Sequence, residues 1–244
     1  MASIKVDKRV LQAGRETAIE TTRLSENTPF QVTEAYKTLR TNLLFALAAG
    51  KSKAVVISSA MPSEGKSATC ANLAIAMSQT GTRVLLIDAD LRRPTQYQIF
   101  QTDNSKGLTT ILAGFNEVRD VIKKKIGENL DLLTSGPAPP NPSELLGSRR
   151  MKDLLFMLED HYDYFFIDTP PINVVTDALV FAGSTAGLLL IARQNQTTYD
   201  NLTRAVSSIA FSGVNILGLV INGVNEKVGG YGNYKYNKYA YGKK

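Results

Sequence analysis

The feature that most constrains the fold is a series of short, continuous apolar runs that recur from residue 54 to residue 221. Each run is rich in β-branched or large aliphatic residues and lacks strict alternation, which is typical of strands covered on both faces. Stretches of helical periodicity separate the runs. This alternation predicts an α/β fold, a doubly wound, mostly parallel sheet with helices on both faces. The six runs are 54–57, 84–87, 130–133, 164–167, 188–191 and 216–221.

Apolar residues at offsets of three and four predict the main helices. One such pattern covers 32–47, a second helix is expected over 66–80, and a third pattern covers 202–210. A glycine follows each of them and is expected to end the helix. Between the third and fourth strands, the proline-dense connection 136–146 cannot be regular until about Ser143.

Composition excludes several classes of protein. The 244 residues include one Cys and one His, too few for a zinc site, and no catalytic triad is supported. No apolar run approaches the ~20 residues of a membrane span, and the N-terminus lacks the apolar block of a signal peptide. We therefore expect a cytoplasmic protein with an extension (1–28), one domain (29–226) and a mobile tail (227–244).

A phosphate-binding loop is predicted between the first strand and the helix that follows it. The segment from Ser59 to Ser67 reads SAMPSEGKS and matches G-x-x-x-x-G-K-[ST], except that Ala60 replaces the first glycine. Lys66 is expected to neutralise β and γ oxygens, and the Ser67 hydroxyl is expected to face Mg²⁺. The residues expected to hold the nucleotide here are Pro62, Ser63, Glu64, Gly65, Lys66, Ser67 and Ala68.

Two of the predicted strands end in acids. Asp88 and Asp90 follow the second run in the sequence DADLR, and Asp168 follows the fourth run in DTPP. Ligands of open α/β sheets bind at the carboxyl ends of the strands, so these acids lie at the expected ligand edge. One such acid could be a solvated strand end. Two of them beside a phosphate-binding loop indicate a Mg²⁺ site, in which Asp168 and Ser67 supply oxygen ligands.

The tail has an unusual composition. Residues 227–244 hold five lysines, no acid and five of the ten tyrosines, whereas the rest of the chain has 23 basic against 22 acidic residues. From the residues alone, a phosphoacceptor tail is about as well supported as a tail that stacks on single-stranded nucleic acid or lies on an anionic membrane. The five tyrosines are Tyr231, Tyr234, Tyr236, Tyr239 and Tyr241.

Together these motifs resemble those of the bacterial tyrosine kinases of capsule and exopolysaccharide synthesis, a family of P-loop NTPases. The family's loop has the form A-x-x-P-x-E-G-K-[ST], and the sequences DADLR and DTPP match its D-x-D-L-R box and the end of its Walker B strand. The resemblance runs from about residue 30 to the end. The family forms rings through an E-x-x-R-x-x-R helix. Here Glu34, Lys37 and Arg40 occupy those positions, and Lys37 lacks the bidentate fork of arginine.

The resemblance implies an ATP-dependent protein-tyrosine kinase that uses Mg²⁺ and phosphorylates its own tail tyrosines, between subunits. Asp88 is the candidate base for the phenol proton and Asp90 a metal partner, and these two roles could be exchanged. Asn222, at the end of the last strand, is expected to contact adenine. The residues expected to act in transfer are Lys66, Asp88 and Asp90, and those expected to hold Mg²⁺ are Ser67, Asp90 and Asp168.

The resemblance also implies partners. Members without a membrane segment depend on a separate transmembrane activator, so we expect recruitment to the inner face of the cell membrane through that activator. We further expect a homo-oligomer, with a ring as one form that it could take, protein substrates such as sugar-nucleotide enzymes, and control of capsule or exopolysaccharide synthesis and export. No nucleic-acid partner is expected.

Two other functions share the fold. An ATPase switch of the partition or division-site type dimerises on ATP, but that group has a second lysine early in the loop, where this chain has Met61. A nucleotide-binding interaction module without chemistry would require the acids after both strands to be inert.

Overall fold

A seven-stranded sheet forms the centre of the computed structural model, which describes residues 23–48, 50 and 52–224. The strands lie in the order β3-β4-β2-β5-β1-β6-β7, and each neighbouring pair is parallel except β3 with β4. The doubly wound, mostly parallel sheet is thereby confirmed. The strands are β1 (Ala54–Ser59), β2 (Val84–Asp88), β3 (Lys123–Gly127), β4 (Leu130–Leu133), β5 (Tyr164–Asp168), β6 (Gly187–Arg193) and β7 (Ile216–Asn222).

Helices cover both faces of the sheet. Four are longer than five residues, and the three predicted helices are among them, each within a few residues of its expected bounds. The proline-dense connection does turn helical, with Pro142 in the first turn. The helices are α1 (Phe30–Leu47), α2 (Lys66–Ser78), α3 (Gln96–Ile99), α4 (Leu108–Leu112), α5 (Val118–Val121), α6 (Pro142–Leu146), α7 (Arg149–Leu158), α8 (Leu179–Ala182) and α9 (Tyr199–Phe211).

The first strand lies at the centre of the sheet, and this position determines where the site forms. All six residues of β1 are buried, with β5 on one side and β6 on the other. Ile57 pairs with Asp168, and Asp88 pairs with Asp168 from the far side of β5. The ends of three parallel strands therefore bring the phosphate-binding loop and both acidic sequences to one edge.

On the face of the sheet that carries α1 and α2, α2 is largely buried, but the apolar stripe predicted for α1 is only partly covered. Most of α2 is buried, and Cys70 on it is fully buried, which raises the pKa of its thiol well above the ordinary value. In α1, Leu43 and Leu47 are buried, but Val32 is 42% exposed. The predicted apolar stripe of α1 is thus covered only towards its C-terminal end.

One strand escaped prediction, the antiparallel edge strand β3. Its sequence, KKKIG, has no apolar run, and its residues are exposed or half-buried. Lysines on an edge strand hinder pairing with other chains. This protection explains why β3 carries charged residues, whereas the buried strands carry apolar ones.

The part of the N-terminal extension that the structure describes touches the domain. The Leu24 amide donates to Asn72 Oδ1 at 2.8 Å, and the Arg23 guanidinium lies 5.6 Å from the centre of the Phe100 ring. At least residues 23 and 24 are thus in contact with α2 and α3 of the domain.

Replacing Gly107 by alanine is expected to destabilise the fold by about 3 kcal/mol. A Cβ at this position would lie 2.1 Å from the Gly136 amide nitrogen and 2.3 Å from the Thr134 carbonyl oxygen. Both neighbours are backbone, and the Leu108 amide donates to the same Thr134 carbonyl at 2.8 Å, so no side chain can yield. Urea denaturation measures the change in free energy of unfolding.

Gly183→Ala is the matched control for that measurement. Gly183 ends α8 with an ordinary φ of −63°, and a Cβ there would meet no atom within 4 Å. Its free energy of unfolding should be unchanged or slightly higher. Equal urea midpoints for the two alanine variants would contradict the close approach of Gly107 to the backbone of Thr134 and Gly136.

Candidate active site

The predicted phosphate-binding loop lies between β1 and α2, as expected. Its left-handed residues are Ser63 (φ 65°) and Gly65 (φ 88°), whereas Ala60 is not among the residues of positive φ and is fully buried. The loop therefore tolerates alanine at the first glycine position. Gly65 is needed for space as well as for φ, because a Cβ there would lie 2.7 Å from Asn222 Nδ2.

The side chain of Glu64 braces this loop from inside. Glu64 is fully buried, its Oε2 accepts a hydrogen bond from the Met61 amide at 2.8 Å, and its Oε1 accepts from the Thr197 hydroxyl. Gln196, in the same loop after β6, donates to the Pro62 carbonyl at 3.2 Å. The carboxylate of Glu64 therefore holds the loop to the segment after β6, and its contact with a nucleotide stays a prediction that only its main chain could fulfil.

Asn222 is also tied to the loop. Its Nδ2 donates to the Glu64 carbonyl and to Thr69 Oγ1, each at 2.9 Å. The amide nitrogen is thus committed to shaping the loop and the first turn of α2. Contact between Asn222 and adenine stays a prediction, and within the described structure this side chain acts on the loop.

Lys66 is the centre of charge in the site. Its Nζ lies 2.8 Å from Asp90 Oδ2, 3.2 Å from Asp168 Oδ1 and 3.0 Å from Ser67 Oγ. Burial lowers the pKa of the ammonium, but attraction to Asp168 and Asp90 outweighs burial and raises that pKa above its ordinary value. Lys66 therefore stays charged and neutralises two carboxylates in a nearly dry environment.

The two acids of DADLR lie in different environments. Asp88 is fully buried: its Oδ1 accepts from the Asp90 amide, and its Oδ2 accepts from the Thr95 and Gln96 amides. Burial and then repulsion from Asp168 raise the pKa of Asp88 to about 8. Asp90, in contrast, lines the cavity. The assignment of base and metal partner between these two acids stays a prediction.

The cavity beside the loop has a volume of about 450 Å³. It combines three kinds of surface: the phosphate-binding loop, a charged rim from the DADLR region, and an apolar wall that follows β5. The apolar wall consists of Pro170, Pro171, Val174 and Val175. The rim consists of Asp90, Arg92, Arg93 and Thr95. Room for a phosphate chain and an apolar ring is therefore present in one space.

The donor set fits a hard divalent cation such as Mg²⁺. A hydroxyl and two carboxylates, from Ser67, Asp90 and Asp168, all lie within 3.2 Å of one atom, Lys66 Nζ, so they converge on a small volume. Among the residues described, no three Asp, Glu, His or Cys side chains form a complete metal site. Phosphate and water would have to complete the coordination of a cation held here, as is usual for Mg²⁺.

Arg92 anchors the rim of the cavity to a residue that the motifs do not reveal. Its Nε donates to Asp177 Oδ2 at 2.7 Å, and the Ser143 hydroxyl donates to the same carboxylate. Burial raises the pKa of Asp177, but these hydrogen bonds outweigh it and hold that pKa below the ordinary value. The network joins the DADLR loop to the start of α6, so the proline-dense connection does lie near the site.

The three predicted oligomer contacts are occupied within the chain. Lys37 and Glu34 form an exposed ion pair at 2.7 Å, and Arg40 Nη1 donates to the Ala76 carbonyl on α2 at 2.6 Å. Arg40 therefore helps to hold α1 to α2. A role in ring formation stays a prediction for these residues, and the five tail tyrosines lie outside the described residues.

Comparison with known proteins identifies relatives over most of the chain. A family model described as an AAA domain matches residues 52–210. Tyrosine-protein kinase YwqD of Bacillus subtilis is 40% identical over 203 residues, which are 83% of this chain and 85% of that protein. Tyrosine-protein kinase Wzc of Salmonella typhimurium is 38% identical over 85% of this chain, but the chain spans only 29% of its length.

Solved structures agree with the sequence relatives. The kinase domain of Escherichia coli tyrosine kinase Etk is 37% identical, with a TM-score of 0.78 and coverage of 87% of each chain. The septum site-determining protein MinD of Pyrococcus horikoshii, complexed with Mg-ADP, is 23% identical, with a TM-score of 0.61 over 72% of this chain and 73% of that one. At that identity the likeness to MinD shows the fold alone. No helix in the described part of the chain has both the length and the apolar character needed to cross a membrane.

Proposed function

Because the chain belongs to the bacterial tyrosine-protein kinases, we propose that it transfers the γ-phosphoryl group of Mg·ATP to the tyrosines of its own tail, one subunit acting on another. The family membership rests on relatives about 40% identical over most of the chain. The identity of the acceptor, the use of Mg²⁺ and the action between subunits are the proposal.

The observation that carries the proposal is that one cavity is lined by both the phosphate-binding loop and the apolar wall. Phosphoryl transfer requires the attacking oxygen and the leaving oxygen to lie in line on either side of the phosphorus atom. The loop amides and Lys66 suit the phosphate chain, and the apolar wall suits a phenol ring. An ATPase that uses water as the acceptor has no need of such a wall.

The position of Lys66 suggests that binding of Mg²⁺ and binding of the nucleotide are coupled. In the structure its ammonium is shared between Asp90 and Asp168. Ser67, Asp90 and Asp168 would hold Mg²⁺, and the cation would supply positive charge next to the phosphate oxygens. Lys66 then exchanges its carboxylate partners for phosphate oxygens, so that nucleotide and metal should bind more tightly together than apart.

The phenol proton requires a carboxylate in reach of the acceptor. A tyrosine phenol has a pKa of about 10, so it gives up its proton late, as charge leaves the oxygen. A base must first be within hydrogen-bond reach, and its pKa matters second. Asp90 lines the cavity, and its Oδ2 faces Lys66 rather than a backbone amide, whereas Asp88 is fully buried with both oxygens occupied by backbone amides. We therefore assign the proton to Asp90 and the ordering of the loop to Asp88.

Action between subunits is tested by mixing two full-length variants. The donor carries Tyr→Phe at all five tail positions and keeps its active site, and the acceptor carries Lys66→Met and keeps its tail. We expect mass spectrometry to find phosphate on acceptor tyrosines within 231–241 only when both variants and Mg·ATP are present. Each modified tyrosine adds about −1.5 to −2 charges, which phosphate-affinity gels also resolve.

A body tyrosine provides the control. Tyr199 is 81% exposed, so Tyr199→Phe removes an accessible phenol outside the tail. This variant should be phosphorylated as fully as the wild type. Phosphate release with no modified tyrosine on either chain would sink the proposal in favour of the ATPase switch. Phosphate on the tail of the wild type measured alone, with none on the acceptor variant in the mixture, would show that transfer occurs within one subunit.

We extend the proposal to the setting of the reaction. A separate transmembrane activator would recruit this cytoplasmic enzyme to the inner face of the cell membrane. The subunits would assemble through Glu34, Lys37 and Arg40, with a ring as one form of the assembly. In this proposal the enzyme controls capsule or exopolysaccharide synthesis and also phosphorylates sugar-nucleotide enzymes. The support is the resemblance of motifs, together with a relative named as a putative tyrosine-protein kinase in the cps region of Klebsiella pneumoniae, 37% identical over 83% of this chain.

A further inference from the structure

Gln96, the first residue of α3, contacts Ser67 and Asp168, two of the residues expected to hold Mg²⁺, and also the buried Asp88. Its Nε2 donates to Asp168 Oδ2 at 2.8 Å and to the Ser67 carbonyl at 3.0 Å. Its backbone amide donates to Asp88 Oδ2 at 2.9 Å. One fully buried side chain thus joins the end of β5, the start of α2 and the DADLR loop.

The other end of the Gln96 amide has no partner. Oε1 is buried and accepts no hydrogen bond from any residue that the structure describes. Turning the amide over would not help, because Oε1 would then face the Asp168 carboxylate and the Ser67 carbonyl, which are both acceptors. A buried oxygen without a partner destabilises the fold, and in proteins such atoms are usually satisfied by ordered water.

We propose that Gln96 is a positioning residue of the Mg²⁺ site, whose Oε1 accepts a hydrogen bond from a water molecule bound to the metal. This inference rests on the proposed use of Mg·ATP. Mg²⁺ dehydrates reluctantly and keeps several waters, and each of those waters needs acceptors for its protons. The same side chain holds the Asp168 carboxylate through Nε2, so a ligand and a water of the metal would be oriented by one amide.

The charge of the site explains why an amide suits this position. Asp88 and Asp168 are fully buried, and Lys66 is the cation that the structure places against Asp168 and Asp90. A glutamate in place of Gln96 would add another carboxylate beside Asp168 without a further cation. A neutral side chain that donates at one end and accepts at the other avoids that repulsion.

Gln96→Met tests the inference, because methionine has a similar length and volume but lacks both the amide donor and the amide acceptor. We expect the Kd for ATP in the presence of Mg²⁺ to rise about 10- to 100-fold, whereas the Kd for ATP in EDTA stays unchanged. The Mg²⁺ concentration that half-saturates binding should rise by the same factor. Isothermal titration calorimetry on the full chain measures all three quantities.

Gln98→Met is the matched control, since Gln98 lies on the same helix, is exposed, and donates to the Tyr97 hydroxyl at 2.8 Å. Its affinities should equal those of the wild type. A merely structural role for Gln96 predicts equal weakening of both Kd values and a lower urea midpoint, and that result would overturn the inference. Failure of the wild type to bind or use Mg·ATP would instead refute the proposed function.

A measurement on the wild type covers the case in which Gln96→Met fails to fold. A crystal structure with Mg·ADP should show a water molecule that lies within 3.2 Å of Gln96 Oε1 and about 2.1 Å from Mg²⁺. A water at Oε1 that is not bound to the metal, or an Oε1 that still has no partner, would overturn the inference.

Discussion

Replacing Lys66 by methionine is expected to lower the rate of tail phosphorylation by a factor of about 10² to 10³. That factor is the usual cost of removing one preorganised group that stabilises charge in the transition state. Lys66 is the cation that contacts both Asp90 and Asp168 at the start of α2, where phosphate oxygens are expected. Initial rates at saturating Mg·ATP, followed by mass spectrometry of the tail, give the factor.

The same variant needs a check on its fold. Without the ammonium, Asp90 and Asp168 face each other with no shared counter-ion, and breaking a buried pair can cost about 3–5 kcal/mol. Lys66→Arg restores the charge but not the compact shape of an ammonium. We expect Lys66→Arg to recover most of the urea midpoint and little of the rate. Full activity in either variant would contradict the role of Lys66 in transfer.

The central strands of the sheet were predictable because they are buried on both faces. A strand such as β1, buried at all six positions, needs an unbroken apolar run, and such runs are visible in a sequence. The edge strand β3 has no such requirement, and its three lysines conceal it. The short helices α3 to α5, each of four or five residues, contain too few positions to show a helical period.

The site was predictable for those residues that lie at the carboxyl ends of neighbouring parallel strands. The pairing of Asp88 with Asp168, and of Ile57 with Asp168, follows from the parallel register of β1, β2 and β5. Since parallel strands end at one edge, the motifs had to meet there.

Residues that act through side-chain hydrogen bonds across loops could not be predicted. Asp177 lies 85 residues from its partner Arg92, and Gln96 lies 72 residues from Asp168, with no motif at either position. Glu64 belongs to the loop motif, but its inward carboxylate depends on Thr197, which lies 133 residues further along the chain. Neither Asp177 nor Gln96 carried a signal, whereas Arg92 did, as the last residue of DADLR.

Asp90→Asn is expected to reduce the rate of tail phosphorylation by about 10²-fold or more, the low end of what a positioned proton acceptor contributes. Its fold should survive with a modest loss of stability, because the asparagine oxygen can still accept from the Arg93 amide, which donates to Asp90 Oδ1 at 3.0 Å, and Lys66 loses its pair with Asp90 but keeps the one with Asp168. Initial rates and urea midpoints, measured on the same preparations, test both statements. The Kd for ATP in Mg²⁺ separates the two roles of Asp90, because loss of a metal ligand weakens binding, whereas loss of a base lowers the rate alone.

Asp88→Asn should show the opposite pattern. Its carboxylate accepts from three backbone amides, those of Asp90, Thr95 and Gln96, and an asparagine offers one oxygen for them. At least one buried amide then lacks a partner, which costs about 1–3 kcal/mol. We expect a lower urea midpoint and a smaller loss of rate than in Asp90→Asn. If Asp88→Asn instead keeps the wild-type midpoint and loses the larger share of the rate, its raised pKa marks Asp88 as the base, and Asp90 serves the metal alone.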